Sequence, residues 1–220
     1  ELHGQPLLRL SGTPAQLGEG QARMWGPAIG HLKEDYLSQF MWRKRMRAKS
    51  REGARRLLPF VPPHHREELA ALADGAGMVL EEALELQTFL DVPKLPLCSV
   101  VLALPERTVA GGTLFGRNLD FPALGVADRT QVIHYCCPKG TTRFLSWSWP
   151  GMVGVITGMN EHGLTLALLY CLRWTAVKDG VPTVLMNRLI LENCRTVAEA
   201  VELLKGMPRA GGNLVALADP

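Results

Sequence analysis

The stretch LCSVVLALPERTVAGGTLFGRNLDF, from Leu97 to Phe121, decides how the rest of this chain is read. A Cys98-Ser99 pair opens an apolar run ending at Leu104. A turn follows, and a second run leads into Gly116-Arg117-Asn118-Leu119-Asp120-Phe121. Two short strands joined as a hairpin set Cys98 beside Arg117 and Asp120. A thiol, a guanidinium and a carboxylate held together have the makings of an active site.

The stretch is also a boundary. Upstream of Leu97 the pattern is mostly helical, after a weakly alternating first strand expected over Leu7 to Leu10. Thr13 reads as an N-cap with Pro14 in the first helical position. Leu17, Met24, Trp25, Ile29, Leu32, Tyr36 and Phe40 recur at helical spacing, which predicts a helix from Pro14 into the mid-forties, broken near Gly26-Pro27. Basic residues crowd Trp42 to Arg56 and read as the solvated face of a helix, without the interleaved aromatics that stacking on bases requires. Leu58 to Pro63 reads as a connector. His64 and His65 are adjacent and are expected to point in different directions, so no shared metal is expected. Two further helices fill Glu67 to Leu90, the first ending at Gly75-Ala76-Gly77.

Downstream, short β-like runs dominate: Ser99 to Leu104, Gly112 to Phe115, Thr130 to Cys136, Thr142 to Ser148, Gly154 to Met159 and Leu164 to Leu169. Their Gly-rich turns predict an antiparallel meander, with Asn160-Glu161-His162-Gly163 as one hairpin turn. Helices are expected over Val184 to Asn193 and Val197 to Leu204, the second with a Thr196/Glu199 capping box. A last strand is expected over Asn213 to Leu217. Helices and strands that occupy separate parts of the chain define an α+β protein, not alternating βαβ units.

The totals set outer limits. A chain of 220 residues, 47% hydrophobic and 20% charged, can bury a sizeable core. A net charge of +3 does not argue for a nucleic-acid partner. No apolar run has the length of a membrane span, though contact with a membrane surface is left open. The five cysteines show no C-x-x-C pattern, so neither a zinc site nor a cofactor is expected. The first residue is Glu1 and no leader is visible, so the compartment stays open between cytoplasm and secretion after leader removal.

A cysteine at the start of a strand has no helix N-terminus to activate it and needs another base. Its own α-amine, with a pKa near ~8, is one solution. That requires Cys98 to become N-terminal by breaking the Leu97–Cys98 bond. The Cys98 thiol would attack the Leu97 carbonyl, and the resulting thioester would hydrolyse. Arg117 cannot act as a base but can hold a thiolate or a carbonyl. Asp120 can orient the new ammonium, and Asn213 is a candidate oxyanion donor. The plainer reading of these residues is an Arg–Asp pair bracing a hairpin, with Cys98 an inert thiol.

Several stretches in order along the chain resemble the N-terminal-nucleophile (Ntn) cysteine hydrolases, specifically the acyl-coenzyme A:isopenicillin N acyltransferase-like group, related to acid ceramidase and choloylglycine hydrolase. They are Glu68 to Gly77, Cys98-Ser99, Gly116 to Phe121, Pro150 to Gly154, Gly158 to Leu164 and Asn213 to Asp219. The resemblance implies a four-layer αββα sandwich, with residues 1–97 as a helical prosegment that stays bound after cleavage and 98–220 as the catalytic sheet region. It implies hydrolysis or transfer of the acyl group of a small-molecule N-acyl amide. Site residues carried over are Cys98 as nucleophile, Arg117 and Asp120 as its partners and Asn213 as oxyanion donor. Glu161 lies in the matching turn. Tyr170 stands about where the bile-salt hydrolase branch has an asparagine. The family pattern continues with further strands past the position of Pro220, so the sheet region is expected to be incomplete at its C-terminus. Partners implied are the substrate and the cleaved prosegment, with a homo-oligomer left open. Two competing readings are a non-catalytic relative acting as a binding module, and a Cys–His hydrolase using His134 or His162.

Overall fold

The computed structural model describes residues 4–40, 44–88, 91, 98–169 and 178–220. Its centre is a six-stranded mixed sheet built from both sides of the Leu97 boundary. In sheet order the strands are β1 (Leu7–Gly12), β4 (Val132–Pro138), β5 (Phe144–Ser148), β6 (Thr157–Asn160), β7 (Thr165–Leu169) and β8 (Leu214–Ala218). β1 runs parallel to β4, pairing Leu8 with His134 and Leu10 with Cys136, and the other neighbours are antiparallel. The strands β2 (Cys98–Ala103) and β3 (Leu114–Leu119) form a separate antiparallel hairpin, and β2 packs on β7. The expected meander is therefore present, with bounds shifted by up to four residues. The expected first strand over Leu7 to Leu10 is present as β1, so the segment before Cys98 supplies an edge of the main sheet.

Side-chain alternation gives the sheet two different faces. Leu8, Leu10, Cys136, Phe144 and Leu166 share one face and are buried. They form one core with Leu17 of α1 (Pro14–His31) and with Ile190 and Leu191 of α6 (Thr183–Asn193). Leu145, Trp147, Thr157 and Met159 lie on the opposite face, where Leu145, Trp147 and Met159 are exposed.

The helix signals worked locally. Thr13 caps α1 in a reciprocal box with Gln16, and Pro14 opens the helix. Pro27 does not break it. The helix continues to His31 and loosens instead into a π-helical turn over Leu32–Tyr36, before α2 (Leu37–Phe40). That turn buries Leu32 and Tyr36, so packing keeps the chain helical past the proline. Next come α3 (Lys44–Leu57), α4 (Pro63–Gly75) and α5 (Leu80–Thr88). On α3 the arginines face solvent while Ser50, Ala54 and Leu57 turn inward. In α7 (Val197–Lys205) the Thr196 hydroxyl accepts from Glu199 N as expected, but the Glu199 carboxylate accepts from Arg195 N, one residue before the cap.

Helices α1 and α4 approach closely because residue 18 is glycine. A Cβ there would lie 2.2 Å from the Glu68 carbonyl oxygen. Glu68 in turn meets Arg188, the largest fully buried side chain among the described residues. Arg188 Nη2 lies 2.6 Å from Glu68 Oε2, Nε donates to Glu192 Oε1 at 2.7 Å, and Nη1 donates to the Val153 carbonyl. Burial opposes the Arg188 charge, and the two carboxylates outweigh it and hold the guanidinium above its ordinary pKa.

A second polar lock holds the loop Pro150 to Gly154. Buried Gln87 of α5 donates to the Gly151 carbonyl and accepts from Val153 N and Gly154 N. Buried Gln21 of α1 donates to the Met152 carbonyl and accepts from Gly151 N. The loop approaches α6 closely because residue 154 is glycine: a Cβ there would lie 2.3 Å from Val184 Cγ2. Replacing Gln87 with Leu keeps the volume but strands two donors and an acceptor, and each buried unsatisfied group costs about 1–3 kcal/mol. Gln87→Leu is expected to lower unfolding free energy in urea by about 3 kcal/mol. A loss below about 1 kcal/mol would show that the loop is held by packing alone.

Candidate active site

Strand register brings Cys98 and Arg117 together. Cys98 is the first residue of β2 and pairs with Leu119, so Arg117 lies two residues along the partner strand. Arg117 Nη2 donates to Cys98 Sγ at 3.3 Å and to the Leu168 carbonyl at 2.9 Å, and Nη1 donates to Thr157 Oγ1 at 2.6 Å. One guanidinium thus ties the hairpin to β6 and β7 and holds the thiol against the sheet. Partial burial lowers the Arg117 pKa, while Cys98 and Asp120 act in the opposite direction. Arginine stays charged under any such shift, so the thiol faces a permanent cation.

The other expected residues are placed differently. Asp120 is exposed, and its Oδ1 accepts from Asn118 Nδ2 at 2.7 Å. It acts on Arg117 through charge. Asn213 Nδ2 donates to Thr183 Oγ1 at 2.8 Å, and that hydroxyl donates to buried Asp91. Among the described residues no hydrogen bond links Asn213 to Cys98 or Arg117. Glu161 pairs with Arg143 on the surface, its Oε2 accepting from Arg143 Nε at 2.8 Å. It closes a turn there and makes no contact with the thiol. Leu97 and Tyr170 lie outside the described residues.

His134 sits on the sheet face opposite Thr157, and burial together with nearby Arg188 lowers its pKa to about 3. His162 is exposed in the turn after β6. Neither forms a hydrogen bond with Cys98, so this geometry gives no Cys–His pair.

Beside Arg117 opens a cleft of about 390 Å³, with Thr157, Asn118, Phe121, Trp147 and Trp149 along its walls. Phe121, Ala127 and Trp149 also border a small apolar pocket of about 40 Å³, whose far wall is Leu32, Tyr36, Leu37 and Leu86. The wall is braced: Tyr36 donates to the Pro122 carbonyl at 2.8 Å, and Trp149 Nε1 to the Ala127 carbonyl at 2.7 Å. Arg117 lines the cleft, and the cleft and the apolar pocket share Phe121, Ala127 and Trp149. Thr157, Trp149 and Asp91 escaped the sequence reading, since each acts only through partners remote in the chain.

A thiol-and-guanidinium site at a hairpin start, on an α+β frame, defines a class of cysteine-centred proteins. Residues 108–220 match the profile of the acyl-coenzyme A:6-aminopenicillanic acid acyl-transferase family, and the chain belongs to that family. Relatives include Protein dcd1B of Dictyostelium discoideum, 27% identical over 153 residues that make up 68% of this chain and 30% of the relative. Protein dcd1A of the same organism is 28% identical over 152 residues, 64% of this chain and 34% of the relative. An uncharacterized protein of Archaeoglobus fulgidus is 22% identical over 239 aligned positions, covering 94% of this chain and 40% of the relative. The chain spans 30–40% of the length of these curated relatives.

Asp91 offers a direct check on the Asn213–Thr183–Asp91 cluster. Burial raises its carboxyl from 3.8 to about 6, against the hydrogen bonds from Thr183. Between those values the folded protein holds a proton that the unfolded chain releases, so stability is greatest at the acid end and falls as pH rises toward 6. The Asp91 contribution is about 3 kcal/mol at one unit of pKa per 1.36 kcal/mol. Asp91→Asn is expected to flatten the wild-type decline in urea stability between pH 4 and 6. Parallel wild-type and variant curves would contradict it.

Proposed function

We propose that the chain is an amidohydrolase or acyltransferase that acts on a small-molecule N-acyl amide through Cys98. The observation that carries this reading is the Arg117 guanidinium, which lines a cleft and donates to the Cys98 thiol at 3.3 Å. Family membership supports acyl transfer or hydrolysis as the reaction class. The family match begins at residue 108, so the assignment of the nucleophile itself rests on the hairpin geometry.

In this reading the bond between Leu97 and Cys98 breaks first. The new α-amine of Cys98 takes the thiol proton, the sulfur attacks the substrate carbonyl, and the C–N bond breaks as that proton passes to the departing amine, leaving a thioester. Water or an amine then takes the acyl group. Arg117 holds the sulfur and offers charge to the developing oxyanion. Asp120 orients the ammonium, with Asn213 as the further donor. The segment before the break stays bound, since α1, α4 and α5 supply Gln21, Glu68 and Gln87 to buried contacts across it. The cleft receives the acyl group, and the small apolar pocket beyond Trp149 takes the end of its chain. The finer fold assignment, a four-layer αββα sandwich, is supported by the exposed Leu145, Trp147 and Met159. A second sheet begun by β2 and β3 and laid across that face would cover them. Among the described residues no helix is long and apolar enough to cross a membrane.

Intact mass spectrometry tests the core of the reading. Wild-type protein should appear as two fragments divided before Cys98 and should gain one acyl group on the second fragment from an N-acyl amide. Cys98→Ala should run as one uncut chain without amide turnover. An uncut wild type whose Cys98 resists acylation sinks the proposal. Arg117→Met should lower kcat by about 100-fold or more with the fold intact by circular dichroism.

The pocket assignment has its own test. Leu37→Trp fills the apolar end and should cut kcat/KM for a long-chain N-acyl amide by about tenfold or more while sparing a short-chain one. Equal losses on both substrates would place the acyl chain elsewhere.

A further inference from the structure

We propose that His64, His65 and Glu192 form a binding site for a divalent transition-metal ion of the zinc type, joining the parts of the chain on either side of Cys98. Sequence reasoning expected adjacent histidines to diverge. At the start of α4 they do not, because Glu192 of α6 comes between their tips. His64 Nε2 lies 3.2 Å from Glu192 Oε2, and His65 Nε2 lies 2.9 Å from the same oxygen. The three donor atoms all fall within 4.8 Å of one another. Ligands held about 2.0–2.1 Å from a tetrahedral zinc ion stand about 3.3 Å apart. The two histidine–carboxylate edges therefore need adjustments of a few tenths of an ångström, while the histidine–histidine edge, at up to 4.8 Å, closes by at most about 1.5 Å through rotation of the half-exposed His64 ring.

The surroundings suit a cation. His65 and Glu192 are buried, while the His64 side chain is 42% exposed and leaves a way in from solvent. Glu192 is oriented by Arg188, which takes Oε1 and leaves Oε2 to the histidines. A carboxylate divided in this way is a ligand fixed from behind. Glu192 brings its carboxylate to the two histidines, with the Arg188 guanidinium and the Glu68 carboxyl behind it. Two neutral imidazoles and one carboxylate, with an open fourth position, form a familiar donor set for zinc. The ion would bind whether or not the bond before Cys98 is broken, so the inference stands apart from the proposed catalytic role.

The test uses tag-free protein stripped with a chelator and then titrated with zinc chloride against a chromophoric competitor. Wild type should take up one equivalent with Kd at or below about 1 µM. His64→Ala, a change at a half-exposed position, should weaken binding by about tenfold or more while leaving the metal-free melting temperature unchanged. His162→Ala, at an exposed histidine elsewhere, should bind as wild type does, and so should Cys98→Ala. Cobalt in place of zinc should give the visible bands of a tetrahedral site in wild type and lose them in His64→Ala. Absence of saturable binding in wild type overturns the proposal, and so does unchanged affinity in His64→Ala or loss of binding in His162→Ala.

Discussion

A guanidinium buried as completely as that of Arg188 must meet its countercharge inside the protein, and this constraint organises much of the molecule. One carboxylate comes from the same helix, four residues on, at Glu192. The other, Glu68, comes from α4 in the segment before Cys98. Removing one partner from such a pair leaves an uncompensated charge, typically at a cost of about 3–5 kcal/mol. The first segment of the chain therefore cannot leave the sheet without exposing or stranding that charge. Gln21, Gln87 and the edge strand β1 reinforce the tie through backbone hydrogen bonds.

The same architecture separates two polar centres by the thickness of one sheet. On one face lie Arg188, His134 and the buried helices, where charge is fixed and solvent is scarce. On the other lie Thr157, Trp147 and the Arg117–Cys98 contact, open to a cleft. Strand alternation makes this separation unavoidable, since neighbours on β4, β5 and β6 must point opposite ways. It explains why a buried histidine in the sheet is not a partner for the thiol.

Arg117 does for the cleft what Arg188 does for the core. Its three hydrogen bonds reach a thiol, a hydroxyl and a carbonyl on three different strands. The flat, five-donor fork of arginine permits this, and a lysine would make a single point contact. The thiol is held where the hairpin meets the main sheet, and the apolar pocket begins a few residues away at Phe121 and Trp149.

By itself the sequence determined whatever depends on near neighbours. The Thr13–Pro14 helix start, the Asn160 to Gly163 turn, the strand runs after Leu97 and the closeness of Cys98 to Arg117 all follow from propensity, period and one short hairpin. The sequence reading passed over Arg188, although a lone arginine in the apolar helix VLMNRLILEN with a glutamate four residues on signals an internal ion pair. Tertiary structure alone decided the long-range partners. It sent Asn213 to Thr183 and Asp91, kept Glu161 on Arg143, carried α1 through Pro27 and converged two neighbouring histidines on Glu192. Those outcomes depend on which distant backbone comes within hydrogen-bonding range, which is set by packing of whole elements and not by the local spacing of residue types.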